Sequence, residues 1–359
     1  MKYFLPKIIS VNSIYNEILP YLSKEYLKIT REEDVSFSLI YTERIDSNAI
    51  PLFMCILNIL WNYHHRPVDL ELIYNPRLLL FLDKIHFFRW GSQLDLISYD
   101  DELIGGFSDY THKKNNNQHK ILTYWPDTSY PILPAEEKQN VRDKLSEELK
   151  YEIYEYVKLV ADVHNLSDED FEILRTTTSE IILNAQLYSK SMCYVYVQSG
   201  IRIATDKKKI LLSIADIGEG FKRSVAAQIR ESRTYTLEDH NRFCNRAKEI
   251  GLTEKENKDY LAIMEALYYS QLQPRKINLF RLKNLLAKKH ANLKIHNNST
   301  QVIFTYGRCG SCKDRNIFNC MNCLISNKNQ QDEQKLAVKK YLKPLVGVHI
   351  DVEFITEDL

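Results

Sequence analysis

The chain has 359 residues, of which 44% are hydrophobic and 26% charged, a balance typical of globular proteins. This length favours two domains over one. With 48 basic against 47 acidic residues the net charge is +1, so no global basic field of the kind used for nucleic-acid binding is present. Only short basic runs, such as the three lysines at 207–209, leave nucleic acid possible as a partner.

Membrane and secretory classes are disfavoured by the apolar pattern. The longest apolar run, 49–61, is shorter than the roughly 20 residues that span a bilayer. The first residues lack an apolar signal core and a small-residue cleavage site. Four of the seven cysteines are clustered in two CxxC pairs, which does not match a secreted disulfide scaffold. We therefore expect a cytoplasmic protein that makes no membrane contact.

Strand-like and helix-like patterns alternate in the first third of the chain, which predicts an α/β layer. The predicted strands are 35–41 and 70–73, and the predicted helices are 50–61 and 76–85. A polar stretch at 108–120, rich in Asn and Lys, predicts a linker. The sequence therefore predicts an N-terminal domain at 1–118 and a second domain at 119–359.

The second domain is predicted to begin with helices and continue with strands. Residues 135–189 are strongly helical, and Ser167 is a plausible N-cap for a helix with three acids in its first turn. Further helices are predicted within 221–270 and at 279–290. The predicted strands are 192–198, 210–215, 292–296, 301–306 and 346–355.

Two polar residues stand beside the apolar stripe of the helix that follows Ser167. Glu180 and Asn184 are four residues apart, so both project from one side of this helix. A carboxylate and an amide held together suit an octahedral Mg²⁺ that keeps some of its waters. Taken alone, the pair is more readily explained as a solvated helix face.

A second motif follows the predicted strand 210–215. Asp216 stands at the strand end, and Gly218 and Gly220 come next in a DxGxG pattern. Spaced glycines let the backbone approach a flat ligand closely, and the Asp can accept a hydrogen bond from an exocyclic amine. A DxGxG pattern on its own often marks only a turn. The order of an ExxxN helix, two strands and DxGxG is much more specific.

In this order the two motifs resemble the N box and the first glycine box of the GHKL family. That family includes gyrases, heat-shock chaperones, mismatch-repair ATPases and histidine kinases. The resemblance implies a Bergerat-type α/β sandwich, a mixed sheet under helices, with ATP and Mg²⁺ as cofactors. It implies Asn184, with Glu180, at Mg²⁺, Asp216 on the adenine amine, and Gly218 and Gly220 shaping the pocket. Glu180 would be the general base. The sequence contains no GxxxxGK loop of the P-loop class.

The resemblance continues through 278–306 and 347–350, with departures from the family pattern. Asn278 stands where the second glycine box has a Gly, and by position we assign it to the nucleotide pocket. Val348 replaces the Thr of the closing GTxF strand. The stretch at about 221–275 corresponds to the family's lid. His164 is not a convincing phosphoacceptor, because its surroundings look like a helix end and a cap.

Four cysteines form the second candidate site, at about 308–325. Cys309 and Cys312 make one CxxC pair, and Cys320 and Cys323 make another seven residues on. Four convergent thiolates make a closed, structural zinc site, and an iron–sulfur cluster is the alternative. We expect the pairs to lie on tight turns in a loop of little apolar content, inserted between two strands of one sheet.

Residues of about 30–100 are similar to STAS-like domains, the fold of anti-anti-sigma factors. Asp46, Pro51 and the pair Phe87-Phe88 carry most of this resemblance, together with the order of elements. In that family a Ser in a strand-to-helix loop can be phosphorylated, and Ser47 lies at about that position. Capping of the following helix by Asp46 or Ser47 is the favoured interpretation.

Two functions stay open from the sequence. The first is a Mg²⁺-dependent ATPase whose nucleotide cycle drives a conformational switch, in a chain that resembles bacterial regulatory or defence-type ATPases. The second is a regulatory module with little or no turnover, or a switch-type serine kinase that acts on a STAS partner. A protein partner or a homodimer is expected by analogy with the family.

Overall fold

The computed structural model describes residues 1–25, 34–104, 121–164, 166–189, 191–204, 207–231, 235–273, 278–289, 291–305, 316–326 and 337–357. The fold is mixed α/β, as predicted. A four-stranded sheet lies in the first hundred residues, and a seven-stranded sheet begins at Ile121. The predicted linker and the boundary at 118 lie outside the described residues.

The N-terminal part is built on parallel strands. Its strands are β1 (Lys2–Phe4), β2 (Ile8–Ile9), β3 (Ser36–Ser38), β4 (Arg44–Ile45), β5 (Val68–Glu71) and β6 (Ile97–Tyr99). The main sheet has the order β1-β3-β5-β6, with all neighbours parallel, and β2 pairs with β4. Its helices are α1 (Val11–Ser13), a π-helical turn (Ile14–Ile18), α2 (Leu19–Glu25), a 3-10 turn (Ser47–Ala49), α3 (Ile50–His64), α4 (Pro76–Lys84) and α5 (Phe87–Gln93).

The predicted helices of this part are confirmed, and their ends have local causes. Helix α3 has Pro51 in its first turn, where the missing N–H costs nothing, and ends at His65 in the left-handed conformation. Helix α4 is capped by Asn75, whose side chain accepts from the Leu78 amide. The predicted strands 35–41 and 70–73 are shorter or shifted, at β3 and β5.

The second part carries an antiparallel sheet, whereas the resemblance implied a mixed one. Its strands are β7 (Ile121–Tyr124), β8 (Cys193–Ala204), β9 (Lys207–Asp216), β10 (Asn292–Asn297), β11 (Thr300–Thr305), β12 (Val338–Lys340) and β13 (Val348–Glu357), in the order β12-β11-β10-β13-β9-β8-β7. Every pairing in this sheet is antiparallel. The predicted strands are confirmed, whereas β7 and β12 were not predicted.

Helices cover one face of this sheet and close its core. They are α6 (Ala135–Glu152), α7 (Tyr154–His164), α8 (Asp168–Asn184), α9 (Gly220–Glu231), α10 (Leu237–Glu249), α11 (Glu254–Gln271), α12 (Leu279–Lys288) and α13 (Ile317–Ser326), with 3-10 and π turns at Tyr130–Ile132 and Ala185–Ser189. Ser167 caps α8 as predicted, accepting from the Asp170 amide. Leu174 and Ile182 of α8 share a core with Leu212 and Ile214 of β9.

The other face of the same sheet is covered by the N-terminal part. Helix α3 contacts β8 and β9. Tyr194 and Tyr196 of β8 are fully buried among N-terminal core residues, and the Tyr194 hydroxyl accepts a hydrogen bond from Asn58 at 3.1 Å. The two parts therefore share a continuous interior, and the sheet of the second part is sandwiched between two layers.

Candidate functional site

The candidate nucleotide site lies where three neighbouring strands of the large sheet meet. Strand β9 ends at Asp216, which pairs with Cys193 at the start of β8 and with Val348 at the start of β13. The Asp216 carboxylate accepts a hydrogen bond from the Gly218 amide at 2.7 Å and another from the Val348 amide. The residue keeps part of its surface exposed. A buried carboxylate is thus fixed by the backbone at the end of strand β9, in a residue that is itself partly exposed.

Burial sets the protonation behaviour of this carboxylate. It raises the pKa of Asp216 to about 6, against the opposing effect of the hydrogen bonds from Gly218 and Val348. At neutral pH most molecules therefore carry an ionised Asp216, which can only accept hydrogen bonds. An ionised acceptor at the sheet edge suits the exocyclic amine of a flat base.

Two glycines allow the backbone to close around Asp216. Gly347 has φ +123°, and a Cβ placed on it would lie 2.0 Å from the Asp216 carbonyl oxygen. Gly220 has φ +74°, and its Cβ would lie 2.7 Å from the Asn297 side-chain oxygen. Both positions therefore require glycine for conformation and for space. Of the motif read from the sequence, Gly220 is thus explained by its left-handed backbone and by the Asn297 side chain beside it.

A turn between β10 and β11 fastens the glycine loop. Asn297 accepts from the Phe221 amide at 3.0 Å, and Asn298 donates to Asp259 of α11 at 3.0 Å. The Ser299 hydroxyl donates to the same Asp259 carboxylate at 2.7 Å. Sequence analysis missed these residues, although an Asn-Asn pair between two predicted strands is a turn signal. They hold the DxGxG segment and the start of α9 against the core.

Glu180 and Asn184 share a cationic partner from another helix. Arg142 of α6 forms an ion pair with Glu180, and the same guanidinium nitrogen donates to the Asn184 oxygen at 3.4 Å. The Arg142 and Glu180 side chains are 23% and 28% exposed. The oxygens that the resemblance assigns to Mg²⁺ therefore face one positive charge in the structure. Arg142 was not predicted, because it is one of many charged residues on α6.

The Asn278 side chain has a structural role. It is the N-cap of α12: its oxygen accepts from the Arg281 amide at 3.2 Å, and its amide group donates to the Ser270 and Gln273 carbonyls. Because the side chain is occupied, Asn278 could take part in nucleotide binding only through the backbone at the start of α12. The free amides of a helix N-terminus favour binding of an anion such as a phosphate.

The second cysteine pair differs from the predicted turn. Cys320 and Cys323 lie within helix α13, one turn apart, and Cys320 is buried. The same helix buries Ile317, Met321 and Leu324 in the domain core, so the expectation of a loop with little apolar content is wrong for this half of the module. Cys323 is disulfide-bonded. Cys309 and Cys312 lie outside the described residues.

Among the residues that the structure describes, no group of three or more potential metal ligands was found. The predicted four-cysteine site spans both described and undescribed residues, so it stays a prediction. The insertion does fall between two strands of one sheet, because β11 precedes it and β12 follows it as its antiparallel neighbour. This part of the expectation is confirmed.

The loop around Ser47 is docked onto the large sheet. The Ser47 hydroxyl donates to Gln198 of β8, and the Asn48 amide donates to Asp351 of β13 at 3.2 Å. Asp351 is also paired with His349 at 2.8 Å, and both side chains are fully buried. Burial acts to raise the pKa of Asp351, but His349, together with Lys294 and His296, outweighs it and holds that pKa below its usual range. Asp46 makes no side-chain cap, and the N-cap of α3 is Ala49, so the interpretation that Asp46 or Ser47 caps the following helix is wrong.

Comparisons with family models, with curated proteins and with solved structures found no match for this chain. Within the described part of the chain, no helix combines the length and apolar character needed to cross a membrane.

Proposed function

We propose that this protein binds ATP at the edge of its large sheet, with the adenine amine on Asp216, and that it acts as a Mg²⁺-dependent ATPase of the GHKL type. One observation carries the proposal. An ionisable carboxylate is fixed at a strand end by two backbone amides, in a partly exposed residue whose backbone is approached so closely by Gly347 that no side chain fits there. Such a site suits a planar base that offers an amine donor.

The triphosphate would lie toward the end of α8. Asn184 is the last residue of α8, and the π turn at Ala185–Ser189 leads from it toward β8, whose first residue pairs with Asp216. Bound Mg²⁺ would be held by Asn184 and approached by Glu180, and it would neutralise phosphate charge. Glu180 would orient and deprotonate the attacking water.

Arg142 gives this site two states. In the structure its guanidinium is bound to Glu180 and Asn184, so the base and the metal ligand are both engaged. Binding of Mg²⁺ and ATP would require Arg142 to release Asn184, and the freed guanidinium could then pair with a phosphate. Turnover would therefore depend on how readily this contact opens.

The same contact supports the second candidate, a nucleotide-binding regulatory module with little turnover. A Glu180 that stays paired with Arg142 cannot serve as a base, and the Asn278 side chain is used as a helix cap. The switch-kinase alternative gains less support, because Ser47 is bound to the sheet of its own chain.

A lid that moves with nucleotide would be smaller than the predicted 221–275. Helix α11 buries Tyr260, Ile263, Met264 and Leu267 in the core, so its displacement would be costly. Helices α9 and α10 precede it and are the better candidates for movement. They begin at the glycine motif, where nucleotide contacts are proposed.

For the cysteine module we propose a structural zinc ion. Cys320 and Cys323 share one side of α13, as two ligands of one metal must. Sulfurs brought close together also suit a disulfide, so the experiment must separate the two. One zinc per chain under reducing conditions, with loss of fold on chelation, supports the metal site. A chain without metal, together with a disulfide found by non-reducing peptide mapping, refutes it.

Calorimetric titration with ATP and with a non-hydrolysable analogue in Mg²⁺ tests the nucleotide proposal. Binding should be lost in Asp216→Asn, because an NH2 donor replaces one acceptor oxygen and would face either the adenine amine or the Gly218 and Val348 amides. Phosphate release then separates ATPase from passive binding. Glu180→Gln should stop turnover and spare binding. Glu172→Gln, on the same helix and paired with Arg175, should leave both turnover and binding unchanged. Absence of binding by wild-type protein would refute the proposal.

A further inference from the structure

A second cluster of reactive side chains lies between α10 and α11. The Cys244 sulfur is 3.5 Å from His240 Nε2, and His240 Nδ1 is 2.5 Å from a Glu265 oxygen. Cys244 and His240 are one turn apart on α10, so they share a helix face. The Tyr235 hydroxyl donates to the same Glu265 oxygen at 2.8 Å and helps to fix it. The three groups stand in the order thiol, imidazole and carboxylate.

The partners define the protonation pattern of this cluster. Glu265 holds the proton of His240 on Nδ1, because a carboxylate only accepts hydrogen bonds. The lone pair of Nε2 then faces the thiol of Cys244. Burial raises the pKa of Cys244, and Glu265 and Glu254 raise it further against the opposing effect of Lys248. The resting sulfur is therefore a neutral thiol rather than a free thiolate.

We propose that Cys244, with His240 as its general base and Glu265 as the residue that orients His240, reacts with hydrogen peroxide. As the Cys244 sulfur attacks one peroxide oxygen, its proton passes to Nε2. The S–O bond forms and the O–O bond breaks, so the thiol is oxidised to sulfenic acid. The departing hydroxide takes the proton from His240 and leaves as water. The net change is thiol plus peroxide to sulfenic acid plus water.

Two features favour this reagent. Cys244 is only partly exposed, and the His240 side chain is 33% exposed, so a small molecule reaches the sulfur more easily than a large one. Glu265 and Glu254 place negative charge beside the sulfur. A neutral reagent is therefore preferred to an anionic one. This reaction uses none of the residues proposed for nucleotide binding.

The test is the rate of sulfenic acid formation at Cys244 in the full-length protein without nucleotide. The product is trapped with a cyclic dione and measured by peptide-resolved mass spectrometry. The reference is the same cysteine in the urea-unfolded chain at the same pH. At pH 7 the folded protein should react at least about tenfold faster, since general-base assistance typically contributes more than that. A slower rate in the folded protein would mean that burial alone governs this thiol and would overturn the proposal.

Variants then distinguish the proposed proton transfer through His240 from a purely structural role of these residues. His240→Gln and Glu265→Gln should each lower the rate at least about tenfold. Glu238→Gln should leave it unchanged, because Glu238 is exposed on the same helix and pairs only with Arg242 among the contacts described. The wild-type rate should fall in D2O, because the thiol proton moves to His240 in the same step, and the rate in His240→Gln should not. An unchanged rate in folded His240→Gln would contradict the role of the base. If that variant unfolds, the wild-type rates in H2O and D2O decide, and equal rates would overturn the proposal.

Discussion

Replacement of Gly347 by alanine is the sharpest test of how the nucleotide edge is built. The added Cβ would lie 2.0 Å from the Asp216 carbonyl oxygen and 2.9 Å from the Ile217 Cα, so backbone has to move. The residue would also be forced to φ +123°, which L side chains rarely adopt. Strain of this kind costs about 1–3 kcal/mol, and overpacking against backbone adds about 1–3 kcal/mol. We expect Gly347→Ala to lower the free energy of unfolding by about 2–6 kcal/mol.

Gly251 supplies a matched control. It too has a positive φ, +78°, at the end of α10, but an added Cβ would meet no atom within 4 Å. Gly251→Ala therefore carries only the left-handed strain, about 1–2 kcal/mol. Urea unfolding followed by circular dichroism gives both values. Because the clash displaces Asp216, titration with ATP should also weaken in Gly347→Ala and stay unchanged in Gly251→Ala. Equal losses of stability and affinity in the two variants would refute the proposed close approach.

Three further predictions concern charge. Affinity for ATP should fall about tenfold from pH 7 to pH 5 by calorimetry, because protonation of Asp216, whose pKa is about 6, removes the acceptor; a flat profile would contradict its role. Arg142→Ala should lower the Mg²⁺ concentration needed for half-maximal ATP binding, whereas Arg175→Ala should not, and equal responses would exclude competition. Asn48→Ala should lower the free energy of unfolding, measured in urea, by about 1.5–3 kcal/mol, since the buried Asp351 carboxylate loses a hydrogen-bond donor. No change would show that this hydrogen bond contributes nothing to stability.

Local patterns predicted the elements that carry the candidate site. The stripe beside Glu180 and Asn184 indicated helix α8, and the apolar run before Asp216 indicated strand β9, because period and capping are properties of neighbouring residues. The close approach of Gly347 to Asp216 could not be read in the same way. It depends on which strands become neighbours, and β13 joins β9 from more than a hundred residues away.

Contacts between helices that are distant in the chain could also not be predicted from the sequence. Arg142 gave no signal, since α6 carries many charges and only the packing of α6 on α8 places one of them at Glu180. The cysteine spacing predicted a metal module but not its local structure. Cys320 and Cys323 fit a turn and a helix equally well by spacing, and the apolar residues between and beside them favoured the helix.

The buried face of the large sheet leads us to predict that the two parts divided at 118 do not fold independently. Alternation along β8 buries Tyr194 and Tyr196 among N-terminal residues, and Ala215 of β9 joins them. A fragment of residues 119–359 would expose this apolar face and leave Asp351 without Asn48. We therefore expect the fragment to aggregate or to unfold at lower urea than the full chain, as measured by light scattering and circular dichroism. A monomeric fragment of undiminished stability would contradict this view, because burial of the face by α3 would then contribute nothing to the fold.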